Sequence, residues 1–318
     1  MRKALIVGIN NYDNYTELKG CVNDAEAVDL MLRFHEDGEP NFGTKVLLAK
    51  NNKTTVNKST LKRQIELLFR DNNSDTALFY FSGHGHIEQT GGYLLTTDSS
   101  DGDDGMPLTD LLAIANSSNA RNKIIILDCC HSGFAGSTSL AKDKAILANG
   151  LTILTASSMN QYSMEKNGSG IFTGLFVDAL QGAAADLQGN ISMGSIYAHI
   201  DRSLGPWSQR PIFKTNVEKF ISLRKVNPAI SVENLRLITK FFEKKTDEFN
   251  LNPSFEPTSP NPNEENGKIF KILQIYNSLN LVTPVDEEHM YFAAMNSKSC
   301  KLTYLGQHYW SLVNEKLI

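Results

Sequence analysis

Cysteine is scarce in this sequence: four residues in 318, namely Cys21, Cys129, Cys130 and Cys300. Two of the four adjoin, and adjacent cysteines rarely pair with each other. That excludes a disulfide scaffold and makes a reducing cytoplasm the expected setting. Long hydrophobic runs are lacking as well. The opening run, Ala4-Leu5-Ile6-Val7-Gly8, is too short for a signal peptide and has no small-residue cleavage site. No segment approaches the roughly 20 apolar residues of a membrane span. Charge of one sign is also missing. The net charge of −4 predicts neither a nucleic-acid nor an anionic-membrane partner.

What is present is ordinary for a water-soluble globular chain: 41% hydrophobic and 21% charged residues. Such a chain can bury a core without metals or disulfides. Its 318 residues suit one full-sized domain plus a smaller one.

Five short apolar runs predict strands at residues 4–9, 45–49, 76–81, 123–127 and 151–155. They lack polar alternation, as strands covered on both faces do. Helical spacing appears between them at about 21–35, 59–69, 108–115, 172–180 and 193–204. The alternation predicts an α/β fold with a mainly parallel sheet between helices. The pattern changes near residue 226. Asn227-Pro228 breaks it, a helix is expected at 232–244, and residues 252–267, with four prolines, read as a long mobile loop. Residues 268–318 read as helix, short strand (290–294), turn and helix (303–312). The expected organisation is a domain over 1–225, a helix and linker over 226–267, and a small α+β domain over 268–318.

Two strands run into reactive residues: Phe81-Ser82-Gly83-His84-Gly85-His86, and Leu127-Asp128-Cys129-Cys130-His131-Ser132-Gly133. Sites in open parallel sheets form beyond the carboxyl ends of the strands, so a His and a Cys there would face each other. A thiolate would attack a carbonyl, and the imidazole would help deprotonate the thiol and then protonate the leaving amine. Gly83, Gly85 and Gly133 would let a peptide approach and free N–H groups for an oxyanion. His86 and His131 read as structural or solvent-facing.

Here the sequence resembles the caspase-like peptidases, in particular the metacaspase branch and its bacterial relatives. The resemblance runs from residue 3 to about 223 and rests on Ser82-Gly83-His84-Gly85 and Asp128-Cys129-Cys130-His131-Ser132-Gly133. The second motif matches the metacaspase pattern Asp-Ser-Cys-His-Ser-Gly, with Cys129 where those proteins usually carry Ser. Register with that pattern selects Cys130 as nucleophile and His84 as general acid/base. The resemblance implies oxyanion donors at Gly85 and Cys130. It also implies an acidic pocket for Arg or Lys before the cut bond, formed by Cys21, Asp24, Ser82 and Asp128. Two carboxylates there suit a guanidinium. The arginines that Asp-cutting caspases use have no counterpart near either motif.

Zinc is not expected: no C-x-x-C pair occurs, and Cys129 and Cys130 cannot easily bind one ion together. The acidic loop Asp98, Asp101, Asp103, Asp104 is a weak calcium candidate. It lacks the EF-hand's closing Glu and reads as a solvated loop. No organic cofactor is implied. The Gly- and Ser-rich stretch 134–150 carries Lys142 and Lys144, which the resemblance offers as sites of self-cleavage; an uncut surface loop is the alternative.

The last domain resembles a winged helix. Those modules often bind DNA, yet residues 227–318 hold nine Lys and Arg against eleven Asp and Glu, which gives phosphate no footprint. A regulatory domain binding a small-molecule or protein activator is expected instead. Several bacterial fusions of caspase-like domains to sensing modules serve in antiphage defence, and the resemblance implies that role as an expectation for this chain. The alternative is a latent regulator or an inactive caspase-like scaffold controlled by its C-terminal domain.

Overall fold

The computed structural model describes residues 1–70, 74–88, 91–129, 137–138, 141–156, 165–166, 169–204 and 210–318. They form two compact units, Met1–Ala185 with Gly189–Asn227, and Asp186–Gln188 with Pro228–Ile318.

The elements of the first unit are, in order, β1 (Arg2–Ile9), α1 (Cys21–Arg33), β2 (Gly43–Ala49), α2 (Lys58–Phe69), β3 (Thr76–Ser82), β4 (Gly85–Glu88), β5 (Gly91–Leu94), β6 (Met106–Pro107), α3 (Leu108–Asn116) and β7 (Asn122–Asp128). Then come β8 (Ser137–Thr138), β9 (Ala141–Ala145), β10 (Leu151–Thr155), β11 (Glu165–Lys166), β12 (Ser169–Gly170), α4 (Ile171–Asp178), β13 (Asn190–Ser192), α5 (Met193–Leu204), β14 (Ile212–Asn216) and β15 (Ser222–Lys225). Six strands form the central sheet in the order β14-β10-β7-β3-β1-β2. Neighbours from β10 to β2 run parallel, and β14 joins the edge antiparallel to β10.

Both faces of this sheet are covered, so successive residues of one strand serve opposite layers. Along β3, Ala77, Phe79 and Phe81 pack with Leu61 and Ile65 of α2 and Leu111 of α3. Leu78 and Tyr80 pack with Val28 of α1, Phe172 and Phe176 of α4 and Ile196 of α5. Both sets must be apolar, which explains the uninterrupted runs in the sequence. Each fully buried Leu or Ile contributes about 1.5–3 kcal/mol, and Phe79→Ala would cost about 3–5 kcal/mol. The expected strands and helices of residues 1–225 all appear. The edge strand β14 and the hairpin strands β4, β5 and β6 were not expected.

The second unit holds α6 (Val232–Arg236), α7 (Ile238–Phe241), β16 (Glu248–Asn250), α8 (Glu264–Ser278), β17 (Val282–Val285), α9 (Met290–Met295), β18 (Ser299–Leu302) and α10 (Tyr304–Asn314). A three-stranded antiparallel sheet, β16-β18-β17, packs with Phe270, Leu273 and Tyr276 of α8 in a separate core. Three expectations are corrected here. The helix expected at 232–244 is two short helices. The strand expected at 290–294 is α9, whose buried Met290, Ala293 and Ala294 fall at helical spacing. The stretch read as a loop to residue 267 ends at Asn263, whose side chain accepts the Asn266 N–H and starts α8. Within that stretch Phe255 is buried in the core. Among the described residues no helix is long and apolar enough to cross a membrane.

Candidate active site

The site lies at the carboxyl ends of β1, β3 and β7, where register brings Gly8, Ser82 and Asp128 side by side. The β1–α1 connection curls over this edge. Asn10 accepts the Val22 N–H at 3.0 Å, replacing the side-chain cap that Gly20 cannot supply. The Cys21 carbonyl packs on Gly8, where any Cβ would collide with it. The first turn of α1 is thereby held against the sheet.

His84 sits just past β3. The Gly83 N–H donates to the Asp128 carbonyl at 3.3 Å, tying that turn to the end of β7. The His84 N–H donates to the Tyr12 hydroxyl at 2.7 Å, and the Tyr12 and His84 ring centroids lie 4.8 Å apart. Gly83 makes room for this contact: a Cβ there would lie 2.6 Å from the Tyr12 oxygen. Burial, and next the charge at Cys21, push the Tyr12 phenol well above its usual pKa, against the lowering effect of the His84 N–H. The phenol therefore stays neutral.

His84 Nε2 lies 2.8 Å from the Thr16 carbonyl oxygen. A carbonyl only accepts, so Nε2 carries the proton and Nδ1 of the neutral ring keeps the lone pair. The imidazole is thus fixed in one tautomer, with Nδ1 as its base.

The predicted nucleophile, Cys130, lies outside the described residues, as do His131 and Gly133. Its neighbours are described. Asp128 closes β7, and Cys129 is buried in the core layer that also holds Tyr12. Gly85 pairs with Leu94, while the adjacent Leu95 N–H donates to the His84 carbonyl. Antiparallel bonds alternate, so Gly85 falls at a non-bonded position and the ladder leaves its N–H unused.

The four predicted pocket residues come together. Asp24 and Asp128 are buried, at 2% and 4% exposure, although both are carboxylates. Ser82 Oγ donates to Asp24 Oδ2 at 3.2 Å, and the Gly170 N–H donates to both Asp24 oxygens at 3.2 Å. Thr173 Oγ1 donates to Asp128 Oδ2 at 2.7 Å. Cys21 is buried one turn before Asp24. Both carboxylates reach one point, because a methyl on Gly170 would collide with Asp128 Oδ2 and lie 3.2 Å from Asp24 Oδ2.

Other candidates stand apart. His86 Nε2 pairs with Glu88 Oε1 at 2.7 Å. Lys142 and Lys144 belong to β9, with side chains outside the described residues. In the acidic loop, Asp98 accepts from Thr96 Oγ1 at 2.7 Å and from the Lys58 N–H at 3.1 Å. Asp104 accepts from the Asp101 N–H at 3.3 Å and from the Ser100 hydroxyl. Among the described residues no group of three or more His, Cys, Asp or Glu is arranged to hold a metal. Tyr12, Thr16, Gly170 and Thr173 were not singled out from the sequence; none carries charge or a motif, and only the fold brings them to the site.

A family model of the caspase domain, Peptidase_C14, matches residues 1–232. Metacaspase-1A of Aspergillus oryzae is 36% identical over 92 residues, covering 26% of this chain and 20% of its own length. Metacaspase-1 of Scheffersomyces stipitis is 29% identical over 113 residues, covering 35% and 26%. The chain thus spans about a fifth to a quarter of these curated relatives. Caspase-1 of Spodoptera frugiperda superposes with a TM-score of 0.54 at 13% identity, over 71% of this chain and 90% of that one. Protein GSU0716 of Geobacter sulfurreducens does so with a TM-score of 0.51 at 19% identity, over 72% and 98%. These two likenesses are of fold alone, and with most of the chain matched by the family model, this protein belongs to the caspase-domain family.

Proposed function

We propose that this chain is a cysteine endopeptidase that cleaves proteins after Arg or Lys. The observation that carries the reading is the pair of buried carboxylates, Asp24 and Asp128, beside a histidine whose Nε2 is committed to the Thr16 carbonyl. A peptide cation entering that pocket exchanges its water for charge-assisted hydrogen bonds. In the sequence Cys130 stands two residues after Asp128, the last residue of β7. In this mechanism His84 Nδ1 takes the Cys130 proton and the thiolate attacks the carbonyl carbon. The Gly85 and Cys130 N–H groups hold the oxyanion, and His84 returns the proton to the departing amine. Water then cleaves the thioester.

The second unit is the regulatory part of this proposal. Its antiparallel sheet beside helices supports a winged-helix-like reading of residues 268–318, with β16 added from before them. A cytoplasmic setting and a place in antiphage defence rest on the cysteine-poor composition and the resemblance alone. Deleting residues 228–318 should alter either the activity or its dependence on an activator; no change in both would remove the regulatory role.

Hydrolysis of short fluorogenic peptides ending in Arg, Lys or Asp tests the central reading, with Cys130→Ala alongside and calcium varied. Cleavage after Arg and Lys that vanishes in Cys130→Ala is expected. Preference for Asp, or activity that survives in Cys130→Ala, would overturn it.

A further inference from the structure

The start of α4 touches both pocket carboxylates. Gly170, the residue that caps the helix, donates its N–H to Asp24, and Thr173, three residues on, donates its hydroxyl to Asp128. Behind Thr173 stands Tyr80 of β3, whose hydroxyl lies 2.5 Å from Thr173 Oγ1. Tyr80 and Thr173 are both almost wholly buried.

The polarity of this chain follows from counting hydrogens. A threonine hydroxyl has one proton, and a carboxylate only accepts. Thr173 therefore spends its proton on Asp128 and accepts from Tyr80. Burial first, and then the charges of Asp128 and Asp24, push the Tyr80 phenol well above its usual pKa, so it remains a donor. Each bond polarises the next among side chains that are almost wholly buried.

We propose that Thr173, backed by Tyr80, is a positioning residue that sets specificity for Arg and Lys by fixing the plane and charge of the Asp128 carboxylate. This rests on the endopeptidase reading above. A guanidinium gains most from a carboxylate whose plane is already set, because bidentate bonding needs both groups coplanar. Thr173 touches Asp128 and makes no step of the chemistry. The discrimination it supports lies between a cationic side chain and a neutral one of the same shape.

The test compares two peptides that differ only in Arg or citrulline before the cut bond, using the full chain and variants Thr173→Val, Thr173→Ser, Tyr80→Phe and Asp128→Asn. The ratio of kcat/KM for Arg over citrulline should fall about tenfold in Thr173→Val, chiefly through KM on the Arg peptide. It should return in Thr173→Ser and fall about two- to threefold in Tyr80→Phe. A purely structural role would lower both peptides equally and leave the ratio unchanged. That outcome, with the ratio collapsed in Asp128→Asn, overturns the role of Thr173 and leaves the pocket intact. A wild-type ratio near one overturns the Arg/Lys reading itself. Should Thr173→Val fail to fold, as judged by its thermal melt, the ratios in Thr173→Ser and Tyr80→Phe decide: both equal to wild type, with no loss in Tyr80→Phe, refutes the relay.

Discussion

The Nε2 atom of His84 lies 2.8 Å from the carbonyl oxygen of Thr16, sixty-eight residues earlier in the chain. A second anchor from the same loop, the Tyr12 hydroxyl, takes the His84 N–H. The histidine is therefore oriented by the β1–α1 connection at both its ring and its backbone. Tyr12→Phe leaves that half-buried N–H without its acceptor. It should lower kcat about tenfold with KM little changed, and cost about 1–2 kcal/mol of stability. Steady-state kinetics and a thermal melt on the same preparation check both.

Asp24 is buried with its two oxygens on one N–H group and Ser82 on one of them. Asp24→Asn keeps the shape and removes the charge. Cleavage after Arg and Lys should fall about 10- to 100-fold in kcat/KM, mostly through KM, at about 1.5–3 kcal/mol for a hydrogen bond to a charged group. Asp128→Ala should cost most of the activity on Arg peptides. Little loss in either variant would remove the acidic pocket from the account.

Gly170 has an ordinary backbone, φ −67° and ψ 133°, so alanine meets no conformational penalty there. The added methyl nevertheless collides with Asp128 Oδ2. Gly170→Ala should cost about 1–3 kcal/mol of stability, still fold, and show a KM for Arg peptides raised about tenfold or more. An unchanged KM would mean that the two carboxylates are not held as a unit.

His35 Nδ1 accepts the Lys225 N–H at 3.0 Å. Burial, and next the charge on Arg2, lower its pKa from 6.5. The folded state thus favours the neutral ring. Its contribution is complete above the unfolded value and is lost as pH falls through that value toward the folded one. The melting temperature should drop by on the order of one or two degrees between about pH 7 and pH 5, and His35→Gln should flatten that slope. Equal slopes in both proteins would clear His35 of the effect.

Much of the first unit could be read in the sequence because its central strands are buried on both faces, which leaves unbroken runs such as residues 76–81. The edge strand β14 carried no clear signal because none of its five residues is buried, two are exposed, and a lysine interrupts it. The run at 290–295 is six residues long, and at that length an apolar helix and an apolar strand look alike. At the site, His84, Asp24 and Asp128 were legible as chemistry. Thr173 was not: a threonine inside an apolar helix carries no signal, and its contact with Asp128 spans forty-five residues.

The most direct measurement is covalent: full-length protein is treated with an acyloxymethyl ketone reagent ending in Arg, and the adduct is located by mass spectrometry. The account predicts one adduct per chain, on Cys130, lost in His84→Ala and competed by Arg peptides. An adduct on the buried Cys129, or a faster reaction with the reagent ending in Asp, would contradict it.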